Sequence, residues 1–197
     1  MKIYDISQEV FGCEVYPGDP KPKKDVLCSM EKGDLYHLTA FSMCAHNGTH
    51  IDAPFHFLEN GKTAEAISLD HTVGFCFVTE QNGDLSDVGA ELILKQANAM
   101  NAEAAKRILI KGNATVTLEA AEVFAKAGVF LIGTESQSVG PADAPMAVHL
   151  TLLEKEVVLL EGIRLSEADE GIYFLFAAPL ALAGSDGAPC RAILISM

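Results

Sequence analysis

Residues 46–57 read His46-Asn47-Gly48-Thr49-His50-Ile51-Asp52-Ala53-Pro54-Phe55-His56-Phe57, and the interpretation of the whole chain starts from them. Three of the six histidines and one aspartate fall within eleven of these positions. Neutral imidazole nitrogens and carboxylates are ligands that divalent transition metals prefer in proteins. A solvated loop does not need so many imidazoles, and a packed core would resist the carboxylate. The stretch is therefore predicted to be half of a metal site.

One regular helix cannot carry this stretch. His46 and His50 lie four residues apart and would share a helical face, but Asp52 would then point elsewhere. Pro54 stops helix propagation, and the Gly-Thr pair before it also disfavours a helix. We therefore expect an irregular loop, with room for one helical turn, at the end of a strand. Catalytic groups are often carried in such a position.

Length and charge restrict the fold and the partners. The chain has 197 residues, of which 49% are apolar and 21% charged, and this composition suits one globular domain over residues 1–197. The 14 Lys and Arg residues against 27 Asp and Glu give a formal net charge of −13. The electrostatic field of this negative charge repels phosphate backbones and anionic lipids, so neither nucleic acid nor a membrane is an expected partner.

The cysteines and the N-terminal sequence favour a cytoplasmic location. The five cysteines are scattered, and none forms a C-x-x-C pair, so neither a disulfide framework nor a thiolate zinc site is indicated. The sequence from Met1 to Ser7 lacks the long apolar run of a signal peptide. No apolar stretch approaches the roughly 18 residues that a membrane span needs.

Apolar runs, alternation and capping residues predict a mixed α/β domain. Strands are expected over residues 2–7, 34–44, 73–79, 107–111, 129–133, 156–160, 172–178 and 191–195. Helices are expected over 86–105, 118–127 and 147–153. Thr117 and Gly128 suit the two ends of the second helix. The segment from Tyr16 to Pro20 (YPGDP) predicts a type II turn, and the short basic run 21–24 predicts a solvated face.

The second half of the site has two candidate residues, because a metal site needs three or four protein ligands. His149 sits in the apolar run MAVHLTLL, and Glu161 follows the apolar strand VVLL. An unpaired imidazole or carboxylate would be costly in either place. Taken alone, His149 reads as a core histidine and Glu161 as a surface acid. Only the cluster at 46–56 makes them candidate ligands.

These motifs together resemble the metal-dependent cyclase family, which includes bacterial kynurenine formamidase (arylformamidase) and isatin hydrolase. The pattern H-x-G-T-H-x-D-x-P-x-H over residues 46–56 looks like the signature of that family. The resemblance continues through the Tyr16-Pro-Gly-Asp-Pro turn, through His149 twelve residues before Glu161, and through Asp-Gly-Ala-Pro-Cys-Arg-Ala-Ile-Leu at 186–194. It extends over essentially the whole chain.

The resemblance implies a fold, an assembly and a set of site residues. The implied fold is a swivelling β/β/α domain, in which a mixed sheet has flanking helices, usually assembled as homodimers or homotetramers. By resemblance, one metal is bound by His46, His50 and Asp52, a second by Asp52, His149 and Glu161, and His56 is the catalytic acid/base. Tyr16 stands where kynurenine formamidases typically have a tryptophan that stacks on the substrate, and by resemblance it is a substrate-binding residue.

The implied reaction is metal-dependent hydrolysis of an amide-type C–N bond in a small molecule, such as N-formylkynurenine, another aryl formamide or a cyclic amide. A bound Zn²⁺ can lower the pKa of its water to about 7 and so supply hydroxide as the nucleophile at neutral pH. His56 suits protonation of the departing amine because an imidazole has an ordinary pKa near 6.5. In a competing interpretation His56 is another metal ligand.

Two other functions remain open from the residues alone. His50 and Asp52 could begin the 2-His-1-carboxylate triad of an Fe(II) oxygenase, which a distant histidine such as His149 would complete. A non-catalytic, metal-dependent small-molecule binding protein is the third hypothesis. A purely structural zinc site is disfavoured, because such sites are closed and often cysteine-rich. Imidazole and carboxylate ligands suit both Zn²⁺ and Mn²⁺, so the metal and the number of ions stay open.

Overall fold

A computed structural model describes residues 1–196, which form thirteen strands and four α-helices. The strands are β1 (Lys2–Asp5), β2 (Lys23–Cys28), β3 (Leu38–Ser42), β4 (His50–Asp52), β5 (Val73–Glu80), β6 (Gly83–Leu85), β7 (Arg107–Lys111), β8 (Ala114–Val116), β9 (Leu131–Thr134), β10 (Val158–Glu161), β11 (Gly171–Phe176), β12 (Gly187–Pro189) and β13 (Ile193–Ser196). The helices are α1 (Leu69–Thr72), α2 (Asp87–Met100), α3 (Leu118–Ala127) and α4 (Met146–Leu153).

One large mixed sheet organises the molecule. Nine strands pair in the order β1-β13-β11-β5-β7-β9-β10-β4-β12. The central strands β5, β7, β9 and β10 run parallel, whereas β4 pairs antiparallel with both β10 and β12. Two small sheets accompany it, the antiparallel pair β2-β3 and the parallel pair β6-β8. This is the mixed sheet with flanking helices that the sequence predicts.

The two faces of the sheet pack into two hydrophobic cores. Alternation along β7 places Ile108 and Ile110 on the face that carries α2, α3 and α4, while Leu109 points to the opposite face. Along β10, Leu159 and Leu160 divide between the two cores in the same way. Because both faces are buried, these strands read as continuous apolar runs, and this is why they were predictable.

Capping side chains account for the beginnings of α2 and α3, but α2 ends at Met100, five residues before the predicted end at 105. The Ser86 side chain accepts a hydrogen bond from the backbone N–H of Gly89 and starts α2. The Thr117 side chain accepts from Ala120 and starts α3, which ends at Gly128 in the left-handed conformation (φ 70°). Helix 147–153, which carries His149, is also observed with its beginning one residue earlier.

One local expectation is wrong, and a second is incomplete. His50–Asp52 is a buried strand and not part of an irregular loop, although a 3₁₀ turn does follow over Pro54–His56. The basic run 21–24 is exposed as expected, but its second half starts strand β2. In both places the backbone hydrogen bonds are made with strands elsewhere in the chain. In addition, the three residues of β4 are too few to show the alternation of apolar and polar side chains that predicts a strand. None of the helices within residues 1–196 is long and apolar enough to cross a membrane.

Candidate metal centre

The sheet order brings the two halves of the site together. Strand β4 lies between β10 and β12, and its antiparallel register places His50 opposite Glu161 and Asp52 opposite Leu159. Helix α4 packs over this end of the sheet and supplies His149, which is buried. His149 and Glu161 therefore reach the cluster at 46–56 although about a hundred residues separate them from it in sequence.

The first group of candidate ligands consists of His46, His50 and Asp52. The Nδ1 atom of His46 lies 2.8 Å from Asp52 Oδ1, and His50 Nε2 lies 3.3 Å from the same oxygen. His50 donates its Nδ1–H to the carbonyl of Gly48 at 3.0 Å. A histidine ligand usually donates its other ring N–H in this way, which fixes the ring and directs the free nitrogen to the metal.

The second group shares Asp52 with the first. His149 Nε2 lies 3.6 Å from Asp52 Oδ2 and 3.4 Å from Glu161 Oε1. His149 donates its Nδ1–H to the carbonyl of Pro145 at 2.8 Å, and Glu161 accepts from the backbone N–H of Val139 at 2.7 Å. All three side chains are buried. Each group has ligand atoms close enough together to hold one metal ion.

The spacing of His50 and His149 from the carboxylates and the hydrogen bonding of Asp52 fit a bound cation. Nitrogen and oxygen ligands at about 2.0–2.2 Å from a tetrahedral ion lie roughly 3.3–3.6 Å apart. The contacts of His50 and His149 with the two carboxylates measure 3.3–3.6 Å. Asp52 Oδ2 is buried and has no hydrogen-bond partner among the described residues. An ionised oxygen in that position needs a positive partner, and a shared metal ion would supply one.

The charges in the cluster stabilise one another strongly. Burial opposes the charged imidazole of His50, but contacts with Asp52 and Glu161 outweigh burial and raise its pKa to about 10. Burial would raise the pKa of Asp52, yet His46 and His50 hold that pKa well below its usual range. The two carboxylates therefore favour a positive charge at the imidazole of His50.

Close contacts between the segment before β4 and the residue after β10 hold the candidate ligands in place. Gly162 directly follows Glu161 and adopts φ +68°, and a Cβ on it would lie 2.3 Å from the carbonyl oxygen of Gly48. The Thr49 hydroxyl donates to the Gly162 carbonyl at 2.8 Å and accepts from the Gln8 N–H at 2.9 Å. Only a residue without a side chain fits at 162, so the loop before β4 can pack directly on the end of β10.

His56 lies beside both groups and belongs to neither. It ends the 3₁₀ turn that starts at Pro54, and its ring is 4.2 Å from the ring of His46, centroid to centroid. Its side chain is 28% exposed, whereas those of His50 and His149 are 1% and 4% exposed. Burial lowers the pKa of His56, so the imidazole is largely neutral at pH 7. A neutral, reachable imidazole can accept or donate a proton.

Asp186 is a site residue that sequence reasoning missed. Its Oδ2 atom lies 2.8 Å from His46 Nε2 and 3.3 Å from His56 Nδ1. The side chains of His46, His56 and Asp186 also have ligand atoms close enough together to hold a metal ion. Asp186 belongs to the Asp-Gly-Ala-Pro stretch that carries part of the family resemblance, but no local pattern places that stretch beside β4.

A cavity of about 370 Å³ opens over the cluster, and its wall includes Tyr16, Asp19, His56, Phe57 and Gln137. Tyr16 reaches it from the predicted turn, in which the Asp19 N–H donates to the Tyr16 carbonyl at 3.0 Å and Gly18 has φ +102°. This is the geometry of the expected type II turn. The lining residues include no lysine or arginine within the described chain.

Comparisons with known proteins identify the same family. Residues 4–141 match the family model named Cyclase. The chain is 32% identical to a kynurenine formamidase of Erythrobacter litoralis, covering 98% of this chain and 93% of that protein. It is 33% identical to a kynurenine formamidase of Bacillus cytotoxicus, covering 96% and 95%.

Solved structures show the same fold. One, described as a potential metal-dependent hydrolase with cyclase activity, has a TM-score of 0.80 at 29% identity and covers 98% of this chain and 96% of that chain. Isatin hydrolase A from Ralstonia solanacearum has a TM-score of 0.82 at 18% identity, with 99% and 92% covered, and it shows the fold alone. These matches confirm the predicted swivelling β/β/α architecture, and the chain belongs to the cyclase family.

Proposed function

We propose that residues 1–197 form one divalent-metal-dependent hydrolase domain that cleaves an amide-type C–N bond. The observation that carries this proposal is the buried carboxylate of Asp52, which lies in both ligand groups while His56 stands outside them at the cavity. The similarity to kynurenine formamidases supports an aryl formamide such as N-formylkynurenine as substrate. Isatin hydrolase shares the fold, so cyclic amides are included among the substrates to be tested.

His46, His50 and Asp52 would hold one ion, and Asp52, His149 and Glu161 a second. Zn²⁺ is the leading candidate and Mn²⁺ the alternative, since imidazole and carboxylate ligands suit both. When bound, the metal would supply the Lewis acidity that activates water and polarises the substrate carbonyl. Asp52 would serve in both sets of ligands, because its two oxygens face different histidines.

The chain's own groups would then position the substrate and move its protons. We assign His56 as the general acid/base that protonates the departing nitrogen. Its Nδ1 atom faces Asp186, so Nε2 is the nitrogen available to substrate. Tyr16 would contact the aromatic part of the substrate from the cavity wall. A three-ligand Fe(II) oxygenase site is less well supported, since His46 and Glu161 also join the buried cluster.

We further propose a homodimer or homotetramer in the cytoplasm. The antiparallel β2-β3 pair and the segment that connects its strands expose large apolar side chains that a second copy could cover, namely Val26, Leu27, Leu35, Tyr36, Leu38 and Phe41. An isolated two-stranded pair is marginally stable in water, so packing against a neighbour would stabilise it. The five cysteines are all free in the described chain, as suits a reducing compartment.

A substrate panel tests the proposed function. Formyl-anilides including N-formylkynurenine, isatin-like lactams and cyclic imides are incubated with protein that has been stripped of metal and reloaded with Zn²⁺ or Mn²⁺. We expect hydrolysis of at least one class, loss of activity with a chelator, and equal rates with and without oxygen. Absence of turnover over the whole panel, or a requirement for O₂ and a reductant, would refute the hydrolase assignment.

A further inference from the structure

Asp186 occupies a rigid position beside the cluster. It immediately precedes β12, which pairs antiparallel with β4 so that Gly187 lies opposite Asp52. The Asp186 carbonyl accepts the backbone N–H of Ala53 at 2.9 Å, and the next residue back, Ser185, donates its hydroxyl to the Gly187 carbonyl at 2.7 Å. The backbone around Asp186 is therefore tied to the strand that carries the metal-binding histidine and aspartate.

The carboxylate of Asp186 contacts two histidines with one oxygen. Oδ2 lies 2.8 Å from His46 Nε2 and 3.3 Å from His56 Nδ1. An ionised carboxylate only accepts hydrogen bonds, so both imidazoles must donate to it.

These two bonds decide which nitrogen of each ring faces Asp186. With Nε2–H of His46 directed to Asp186, its Nδ1 atom faces Asp52 Oδ1 at 2.8 Å, on the side where a metal would bind. With Nδ1–H of His56 directed to the same oxygen, its Nε2 atom is left with a free lone pair. A hydrogen-bond partner on one ring nitrogen is what fixes the tautomer and orientation of the other.

We propose that Asp186 is a positioning residue that orients His46 as a metal ligand and His56 as the acid/base through a single shared oxygen. The proposal rests on the proposed function for its catalytic consequence, but its structural consequence holds without any turnover. Asp186 would couple metal binding to proton transfer, because a change in its position moves both His46 and His56. The close ring contact between His46 and His56 fits such joint positioning.

The test compares Asp186→Asn with Glu65→Gln. Glu65 anchors the same loop, accepting the N–H of Gly184 at 3.1 Å, but it is exposed and none of its hydrogen bonds reaches a histidine. If Asp186 only held the loop in place, both substitutions would have similar effects. Circular dichroism and thermal unfolding establish that each variant is folded before the comparison.

Two readouts do not require activity. The first is Zn²⁺ affinity, measured by competition with a chromogenic chelator, which should fall about 10–100-fold in Asp186→Asn. The second is the tautomer of His56 in the metal-free protein at pH 8, read from ¹⁵N chemical shifts. The wild type should show the Nδ1–H form, and Asp186→Asn should show a mixture of both forms. Glu65→Gln should match the wild type in both measurements.

Turnover supplies a third readout on any substrate that the panel identifies. In Asp186→Asn, kcat should fall about 10–100-fold with KM changed less than threefold, because orientation and not substrate contact is lost. Wild-type Zn²⁺ affinity or an unchanged His56 tautomer in Asp186→Asn would overturn the positioning role. Failure of the wild-type enzyme on the whole panel would instead refute the proposed function, while the affinity and tautomer measurements would still decide the role of Asp186.

Discussion

Replacing Gly187 with alanine should displace His46 and weaken metal binding, because β12 passes directly against the imidazole ring. A Cβ at this position would lie 2.7 Å from His46 Cε1 and 2.7 Å from the carbonyl oxygen of Ile51. Unstrained heavy-atom contacts begin near 3.5 Å, so at least one neighbour must move by about 0.8 Å. The Ile51 oxygen belongs to the backbone of β4, and no side-chain rotation can relieve that contact.

Two magnitudes follow from this overlap. Inserting a methyl group into packed structure typically costs about 1–3 kcal/mol, which for a chain of this size lowers the unfolding temperature by roughly 2–12 °C. A misplacement of about 1 Å in a catalytic site can lower activity about 100-fold. We therefore expect weaker Zn²⁺ binding together with a fall of about 10–100-fold in kcat/KM.

The matched control is Gly12→Ala. There the nearest neighbour of a new Cβ is Glu9 Oε2 at 3.2 Å, at the end of an exposed side chain that can shift by a few tenths of an ångström while it still accepts the N–H groups of Phe11 and Gly12. Both variants are measured by thermal unfolding, chelator competition and turnover. If Gly187→Ala and Gly12→Ala bind Zn²⁺ equally tightly and unfold at the same temperature, the inference that β12 packs closely against His46 is wrong.

Three further outcomes are expected. His56→Ala should keep its metal content and lose about 10²–10⁴-fold in kcat, whereas full activity would remove His56 from the mechanism. Asp52→Asn should lose metal from both groups, by elemental analysis after gel filtration, because its carboxylate lies in both; a full metal load would contradict the shared ligand. In the metal-free protein, burial disfavours charged His50, but Asp52 and Glu161 raise its pKa to about 10. Its unfolded pKa is about 6.5, so its stabilising contribution is complete below that pH and is lost as pH rises through about 10. Thermal unfolding of chelator-treated protein should therefore show stability falling over this interval, and rising stability would refute the assignment.

Local chemistry made much of the fold predictable. The buried strand at 107–111 and the helix between Thr117 and Gly128 carry their signals within a few residues, as apolar runs and caps. The same holds for the ligand chemistry, because imidazoles and a carboxylate at 46–56 are costly to concentrate without a cation. The role of Tyr16 at the cavity stays a prediction, and its position on the wall is compatible with it.

Neighbours along the chain specify the central strands, the caps that begin the helices and the chemical character of the stretch from His46 to His56. They do not specify that His50–Asp52 is a strand, that Glu161 faces His50, or that Asp186 touches two histidines. Those contacts depend on the pairing of β4 with β10 and β12. Strand pairing joins residues that are far apart in sequence through backbone hydrogen bonds, and no local pattern of side chains specifies the partner.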